Sequence, residues 1–299
     1  MSGTKPQTPF WRQALRGCSQ CAFQSNEITG VLFVLAAAVF NWRMALFFAV
    51  SVVLGTMVAR LLRGNSDLLD LGLFGFNSGL MGLALANFFQ PEPMLWVWMV
   101  IFASVTAGVA VALSRLLKFP FIAAPFILTF WAVWALADGF SLSAVDFGDF
   151  SDDPVRWGKA LLTTLGAALF TPSPLSGAIF LGGIAVSNWR HAVVAFLGAL
   201  IADALAAHVG AAGQAINLGF VGFNGVLAAL AAYVIIAPDL RFVALAAVLA
   251  TWLFSFVNRS GYVPVLASGF VLAIWLILLL GWLNPWFAGK QSEPKPSSA

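Results

Sequence analysis

Apolar positions in this chain fall into long, nearly unbroken blocks rather than the one-sided stripes of a surface helix. Blocks near 28–41, 44–62, 73–89, 94–114 and 119–137 are followed, after a polar gap, by others near 174–188, 191–209, 218–237, 242–257 and 263–283. Such blocks predict helices that are buried on all sides or immersed in lipid, where the backbone must satisfy its own hydrogen bonds. Each set of five follows a shorter mixed segment, at 11–24 and at 157–171. Several blocks fall short of the roughly 20 residues a full crossing needs. Short segments at matching places in two halves point to a transport pathway built from discontinuous helices.

The two sets are copies. An offset of 147 lays Phe23 on Phe170, Gly30 on Gly177 and Asn41-Trp42-Arg43 on Asn188-Trp189-Arg190. It also lays Gly75-Phe76-Asn77 on Gly222-Phe223-Asn224, Leu80 on Leu227 and Leu83 on Leu230. Later the offset becomes 144, and Pro120, Phe126, Leu128 and Trp131 meet Pro264, Phe270, Leu272 and Trp275. Identities of three residues containing Trp, Arg and Asn, held at one spacing, are the mark of a tandem duplication. The expected organisation is an N-terminal tail over 1–10, a first repeat over 11–137, an acidic linker over 138–156, a second repeat over 157–285 and a polar tail over 286–299.

Composition and charge fix the class. Of 299 residues, 61% are hydrophobic and 9% charged, with a mean hydropathy of +0.93. A soluble domain carries roughly 25% charge, so a soluble enzyme, a disordered chain and a DNA-binding domain are excluded. The net charge of +3 is too small for nucleic-acid binding by charge alone. The expectation is an all-α polytopic membrane protein in contact with the lipid bilayer. No apolar run precedes a small-residue cleavage site at the start, so no cleavable signal peptide is expected. Five crossings per repeat would insert the second repeat upside down. With the N-terminus inside, only Arg43, Arg156, Lys159 and Arg259 of the fifteen basic residues fall outside, as the positive-inside rule requires. Asp138, Asp146, Asp149, Asp152 and Asp153 then lie in an extracytoplasmic linker.

Certain motifs resemble those of the urea transporters, also called urea channels. In that family a sequence like Asn-Pro-Leu-Ser-Gly, preceded by Gln-x-x-Phe, opens each half. Here the first half reads Gln20-Cys21-Ala22-Phe23 and then Asn26-Glu27-Ile28-Thr29-Gly30. The second reads Phe170 and then Ser173-Pro174-Leu175-Ser176-Gly177. A Gly-Phe-Asn follows in each half, and a Pro-x-x-x-x-Pro-Phe closes each, with Gly269 replacing the second proline in the later copy. The resemblance covers about residues 10–285. It implies ten membrane helices with two re-entrant half-helices, a homotrimer in a bacterial inner membrane with cytoplasmic termini, and one passive pore per protomer for a small neutral solute, urea or an amide. It places Phe23, Phe76, Phe170 and Phe223, with Leu80 and Leu227, along an aromatic slot that orients a planar molecule, and Gln20 at its polar end. Carbonyls near 24–27 and 171–174 would form a ladder of acceptors, replacing the solute's lost water as in carbonyl-built filters. The chain departs from the family at Ala167, which aligns with Gln20, at Ala123 and Ala267, where threonine is usual, and at Glu27, which stands in place of proline near the pore mouth.

Other readings stay open at this level. Glu27 or Asp203, as intramembrane carboxylates, are functional candidates by default and would carry the proton of a coupled secondary transporter. A transport-inactive sensor or structural homologue is the further alternative. Asn77 and Asn224 serve either as braces between helices or as pore contacts. Cys18 and Cys21 form a C-x-x-C pair read as small helix filler or as a redox pair. An enzyme is not expected, for neither His-Glu-x-x-His nor Gly-x-Ser-x-Gly occurs. Nor is a cofactor or a metal expected.

Overall fold

The computed structural model describes residues 8–258 and 264–283. Residues 1–7, the C-terminal tail and the basic residues Lys5, Arg259, Lys290 and Lys295 lie outside the described residues. The first half contains α1 (Phe10–Ser19), α2 (Glu27–Phe40), α3 (Trp42–Leu61), α4 (Ser66–Leu71), α5 (Leu73–Phe88), α6 (Pro93–Leu116) and α7 (Ala124–Ala135). The second contains α8 (Trp157–Ala167), α9 (Pro174–Ser187), α10 (Trp189–His208), α11 (Gly213–Asn217), α12 (Phe223–Ala231), α13 (Leu240–Asn258) and α14 (Ser268–Leu283). Every expected block is a helix. The small helices α4 and α11 were not anticipated, because six and five residues are too few to show a period.

The repeat extends to the backbone. Positive φ angles recur at Phe23 (59°) and Phe170 (60°), at Gly72 (84°) and Gly219 (70°), and at Ile122 (47°) and Leu266 (51°). These turns explain why α7 and α14 begin later than the apolar blocks suggest. The repeated Asn-Trp-Arg is a corner. Asn41 ends α2 with φ −159° and ψ 117°, and its side chain accepts the Arg43 N–H at 2.9 Å to start α3. Asn188 does the same between α9 and α10, accepting the Arg190 N–H at 2.9 Å. A side-chain oxygen on an otherwise orphan N–H is what lets one helix stop and the next begin without a loop.

The halves exchange contacts reciprocally. Thr29 donates to the Gly183 carbonyl at 2.8 Å, and its counterpart Ser176 donates to the Ala36 carbonyl at 2.8 Å. Phe33 and Phe180, also counterparts, stack with centroids 4.6 Å apart where α2 crosses α9. The Trp131 indole donates to the Pro264 carbonyl at 2.8 Å, and Trp275 donates to the Pro120 carbonyl at 2.9 Å. In each case the contact recurs with the roles of the two halves exchanged.

Among the described residues, four helices are long and apolar enough to cross a membrane, namely α3, α6, α10 and α13. A fifth candidate is the pair Phe10–Ala22 and Glu27–Phe40, bent by 67° at its break. The remaining apolar helices are shorter. On α3, Leu46, Val50, Val53, Met57 and Leu61 form an exposed apolar stripe at helical spacing, as a lipid-facing surface requires. By contrast α5 is buried almost throughout, and every α12 residue from Asn224 to Ala231 is buried. These two central helices border the candidate site.

Candidate permeation site

Two cavities open at opposite ends of α5 and α12. The first, about 540 Å³, is lined by Asn87 and Phe88 at the end of α5 and by Phe223 at the start of α12. The second, about 500 Å³, is lined by Leu73 and Phe76 at the start of α5 and by Val234 and Ile235, just past α12. Thus α5 runs from the second cavity to the first, and α12 runs the other way. From Phe76 to Phe88 the helix rise is about 18 Å.

Equivalent residues line both. Gln20, Phe23, Ser25, Leu71, Phe76, Pro120 and Ile122 border the second cavity. Their copies Ala167, Phe170, Pro172, Leu218, Phe223, Pro264 and Leu266 border the first. The four phenylalanines singled out by sequence are therefore brought together in two pairs. Each broken-helix ring meets a ring from the other half: Phe23 on Phe270 and Phe170 on Phe126, both edge-on with centroids 6.1 Å apart. Leu80 and Leu227 sit four residues along from Phe76 and Phe223, on the same helix faces. They are 7% and 6% exposed and line neither cavity; Ala123 and Ala267 are buried likewise.

Polar groups at the breaks follow a rule. Asn26 O and Ser173 O accept the N–H groups of Gly30 and Gly177, as helix caps do. Gln24 O accepts the Ser19 hydroxyl at 2.6 Å, and Thr171 O accepts the Ser173 N–H at 2.7 Å. The expected ladder over 24–27 and 171–174 is thus largely spent inside the protein. Among the described residues, no donor meets the carbonyls of Phe23, Ser25, Phe170 and Pro172, and all four residues line the cavities. These alternate acceptors were not separable in the sequence, because the caps that consume their neighbours are tertiary. Gln20 donates from Nε2 to Ser25 Oγ and to the Leu71 carbonyl, both at 2.8 Å. Its Oε1 takes no hydrogen bond from any described residue, which leaves an acceptor at the cavity wall. Ala167 offers none.

Both asparagines are braces. Asn77 donates to the Ile122 carbonyl at 3.1 Å and accepts the Phe126 N–H at 3.1 Å. Asn224 donates to the Leu266 carbonyl at 2.9 Å and accepts the Phe270 N–H at 2.9 Å. Each holds a left-handed turn that a bulky residue adopts only under constraint. The turn in turn sets the cavity-lining residues before α7 and α14.

The carboxylates stand apart. Glu27 lines neither cavity, and its Oε1 is gripped by Arg12 at 2.7 Å and by Arg16 at 3.0 Å. A carboxylate at the first turn of α2 also meets the positive end of the helix dipole. Asp203, fully buried in α10, accepts the Thr164 hydroxyl on both oxygens, at 3.0 and 2.9 Å. It lies beneath Gly222, where a Cβ would overlap its Oδ1. Its counterpart Thr56 occupies the same place in the first half, under Gly75. One further contact reaches the first break: His191 Nδ1 on α10 meets Gln24 Oε1 at 3.1 Å. Because Gln24 Nε2 donates to the Ala22 carbonyl at 2.6 Å, its oxygen faces the ring and His191 carries the proton on Nδ1.

Comparison with known proteins identifies the family. A family model described as urea transporter matches residues 11–281. Urea transporter 1 of Rattus norvegicus is 29% identical over 301 residues, spanning 92% of this chain and 78% of that protein. Urea transporter 1 of Mus musculus is 29% identical over 302 residues, with the same coverage of 92% and 78%. That of Ovis aries is 28% identical over 247 residues, or 76% of this chain and 64% of that protein. With the match reaching from α1 through α14 and taking in both broken helices, the chain belongs to the urea transporter family.

Proposed function

We propose that the protein is a passive channel for urea or a similar small neutral amide, formed by two repeats (11–137 and 157–285) inserted in opposite orientations. The observation that carries this reading is the pair of cavities lined by equivalent residues at opposite ends of α5 and α12. Joined through the Leu80 and Leu227 faces, they make one path. The termini are cytoplasmic and the linker 138–156 is extracytoplasmic in a bacterial inner membrane. The half-helices end at the two breaks, completing ten membrane helices, and three copies associate as a homotrimer.

A planar solute enters between Phe23 and Phe76, or between Phe170 and Phe223, and its N–H groups meet the free carbonyls of the breaks. Replacing water's hydrogen bonds one for one keeps the barrier low. An ion finds apolar walls instead and pays the desolvation penalty. Proton coupling finds no support in the placement of Glu27 and Asp203, since neither lines a cavity. Stopped-flow measurements on proteoliposomes test the proposal with urea, acetamide, glycerol and methylated ureas, with and without a protonophore. Urea flux above that of empty vesicles, indifferent to the protonophore, is expected. Flux that collapses with the proton gradient would overturn the channel in favour of coupling, and no flux of any solute would favour an inactive homologue.

A further inference from the structure

The linker between the halves is tied down on both sides. At the first half, Val145 N–H donates to the Phe88 carbonyl and Gln90 N–H to the Ser143 carbonyl, both at 2.8 Å, around an antiparallel bridge of Phe89 with Ala144. At the second half, Ser151 N–H donates to Gln214 Oε1 at 2.6 Å, and Gln214 N–H returns to the Ser151 carbonyl at 3.0 Å. Asn217 adds a hydrogen bond to the Pro154 carbonyl at 3.0 Å. The strap therefore passes from the end of α5 to α11, over the first cavity. Between its anchors the chain turns at Gly148, which has φ +61° and donates its N–H to Asp146 Oδ1 at 2.8 Å. That turn sets Phe147 into the cavity lining.

The Phe147 ring packs edge-on against Phe88 at 5.5 Å and against Phe220 at 5.8 Å. Phe88 in turn meets the slot ring Phe170 at 6.3 Å. We propose that Phe147 is a specificity-determining residue, the outermost of a series Phe147–Phe88–Phe170 that sets the largest solute admitted at the first cavity. The inference rests on the channel reading. The linker occurs once, so the restriction belongs to one mouth; at the other, Lys118 and Phe119 take part in the lining. A passive path is limited by its narrowest point in either direction, so one such ring suffices. It also compensates for Ala167, whose small side chain leaves this cavity wider than a glutamine would.

The test compares flux of urea and N,N′-dimethylurea in vesicles of the full chain. Phe147→Ala should raise the dimethylurea-to-urea ratio at least threefold while urea flux changes less than twofold, and Phe147→Leu should fall between. Gln214→Ala, which frees one anchor and leaves the ring intact, should raise the ratio too. Phe147→Cys gives a graded check, since the ring's space is refilled by chemical modification: thiosulfonate adducts of increasing bulk should reduce flux in order of size. An unchanged ratio in Phe147→Ala, or complete labelling of Cys-substituted protein without loss of flux, overturns the role of Phe147. Absence of urea flux from the parent protein would instead sink the channel reading beneath it.

Discussion

Replacing Asn77 by leucine keeps the branched shape of the side chain and removes its two hydrogen bonds to the turn before α7, along with a longer one to the Leu73 carbonyl at 3.5 Å. The Ile122 carbonyl loses a donor at 3.1 Å, and the Phe126 N–H loses an acceptor at 3.1 Å. Asn77 and Phe126 are both fully buried. Hydrogen bonds between membrane helices average about 0.6 kcal/mol, so two give a lower bound of about 1 kcal/mol. Two buried groups left orphaned, at about 2 kcal/mol each, give an upper bound of about 4 kcal/mol. The left-handed Ile122 turn, itself worth 1–3 kcal/mol of strain of this type, then has less to hold it. Phe121 and Ile122 line the second cavity, so urea flux should fall together with stability. Denaturant titration of the purified protein reads the first quantity and stopped-flow flux the second. Asn224→Leu should match it, since its bonds are 2.9 Å each, and the double variant should be additive because the two sites share no partner. An Asn77→Leu protein within about 0.5 kcal/mol of its parent, conducting normally, would refute the bracing argument.

Three further outcomes are expected. Gly177→Ala should misfold or lose several kcal/mol, of order 1–3 or more for overpacking, because its Cβ would overlap the Leu162 carbonyl, whereas Gly182→Ala, with nothing within 4 Å, should be neutral; comparable expression and melting of the two would contradict the packing of α8 on α9. Trp131→Phe and Trp275→Phe each remove one reciprocal bond between the halves, and each should cost about 1 kcal/mol; unfolding titrations that separate them widely would speak against equivalent roles for the two bonds. His191→Leu should lower urea flux by releasing Gln24 from its second partner, and His191→Asn, which restores a donor, should recover it; equal loss in both would show the ring matters only as bulk.

The sequence by itself determined the duplication, the helical blocks and the class of molecule. Those features depend on local pattern: apolar runs that can exist only in lipid or a core, and identities at a constant offset. The four phenylalanines Phe23, Phe76, Phe170 and Phe223 stood out in the sequence because each sits in a motif that recurs in both halves, but their grouping as Phe23 with Phe76 and Phe170 with Phe223 came from the tertiary structure. Tertiary structure decided the rest. Whether a carbonyl at a break is free or consumed depends on Ser19 and on the helix caps, and the partners of Glu27 were not legible because Arg12 and Arg16 reach it from another helix. His191 and Phe147 carry no local signal at all; a remote half brings His191 to Gln24 at the first break, and a strap pinned at both ends brings Phe147 to the first cavity. Hydrophobic pattern specifies which faces are apolar, but only the crossing of helices specifies which of those faces meet and which enclose a space.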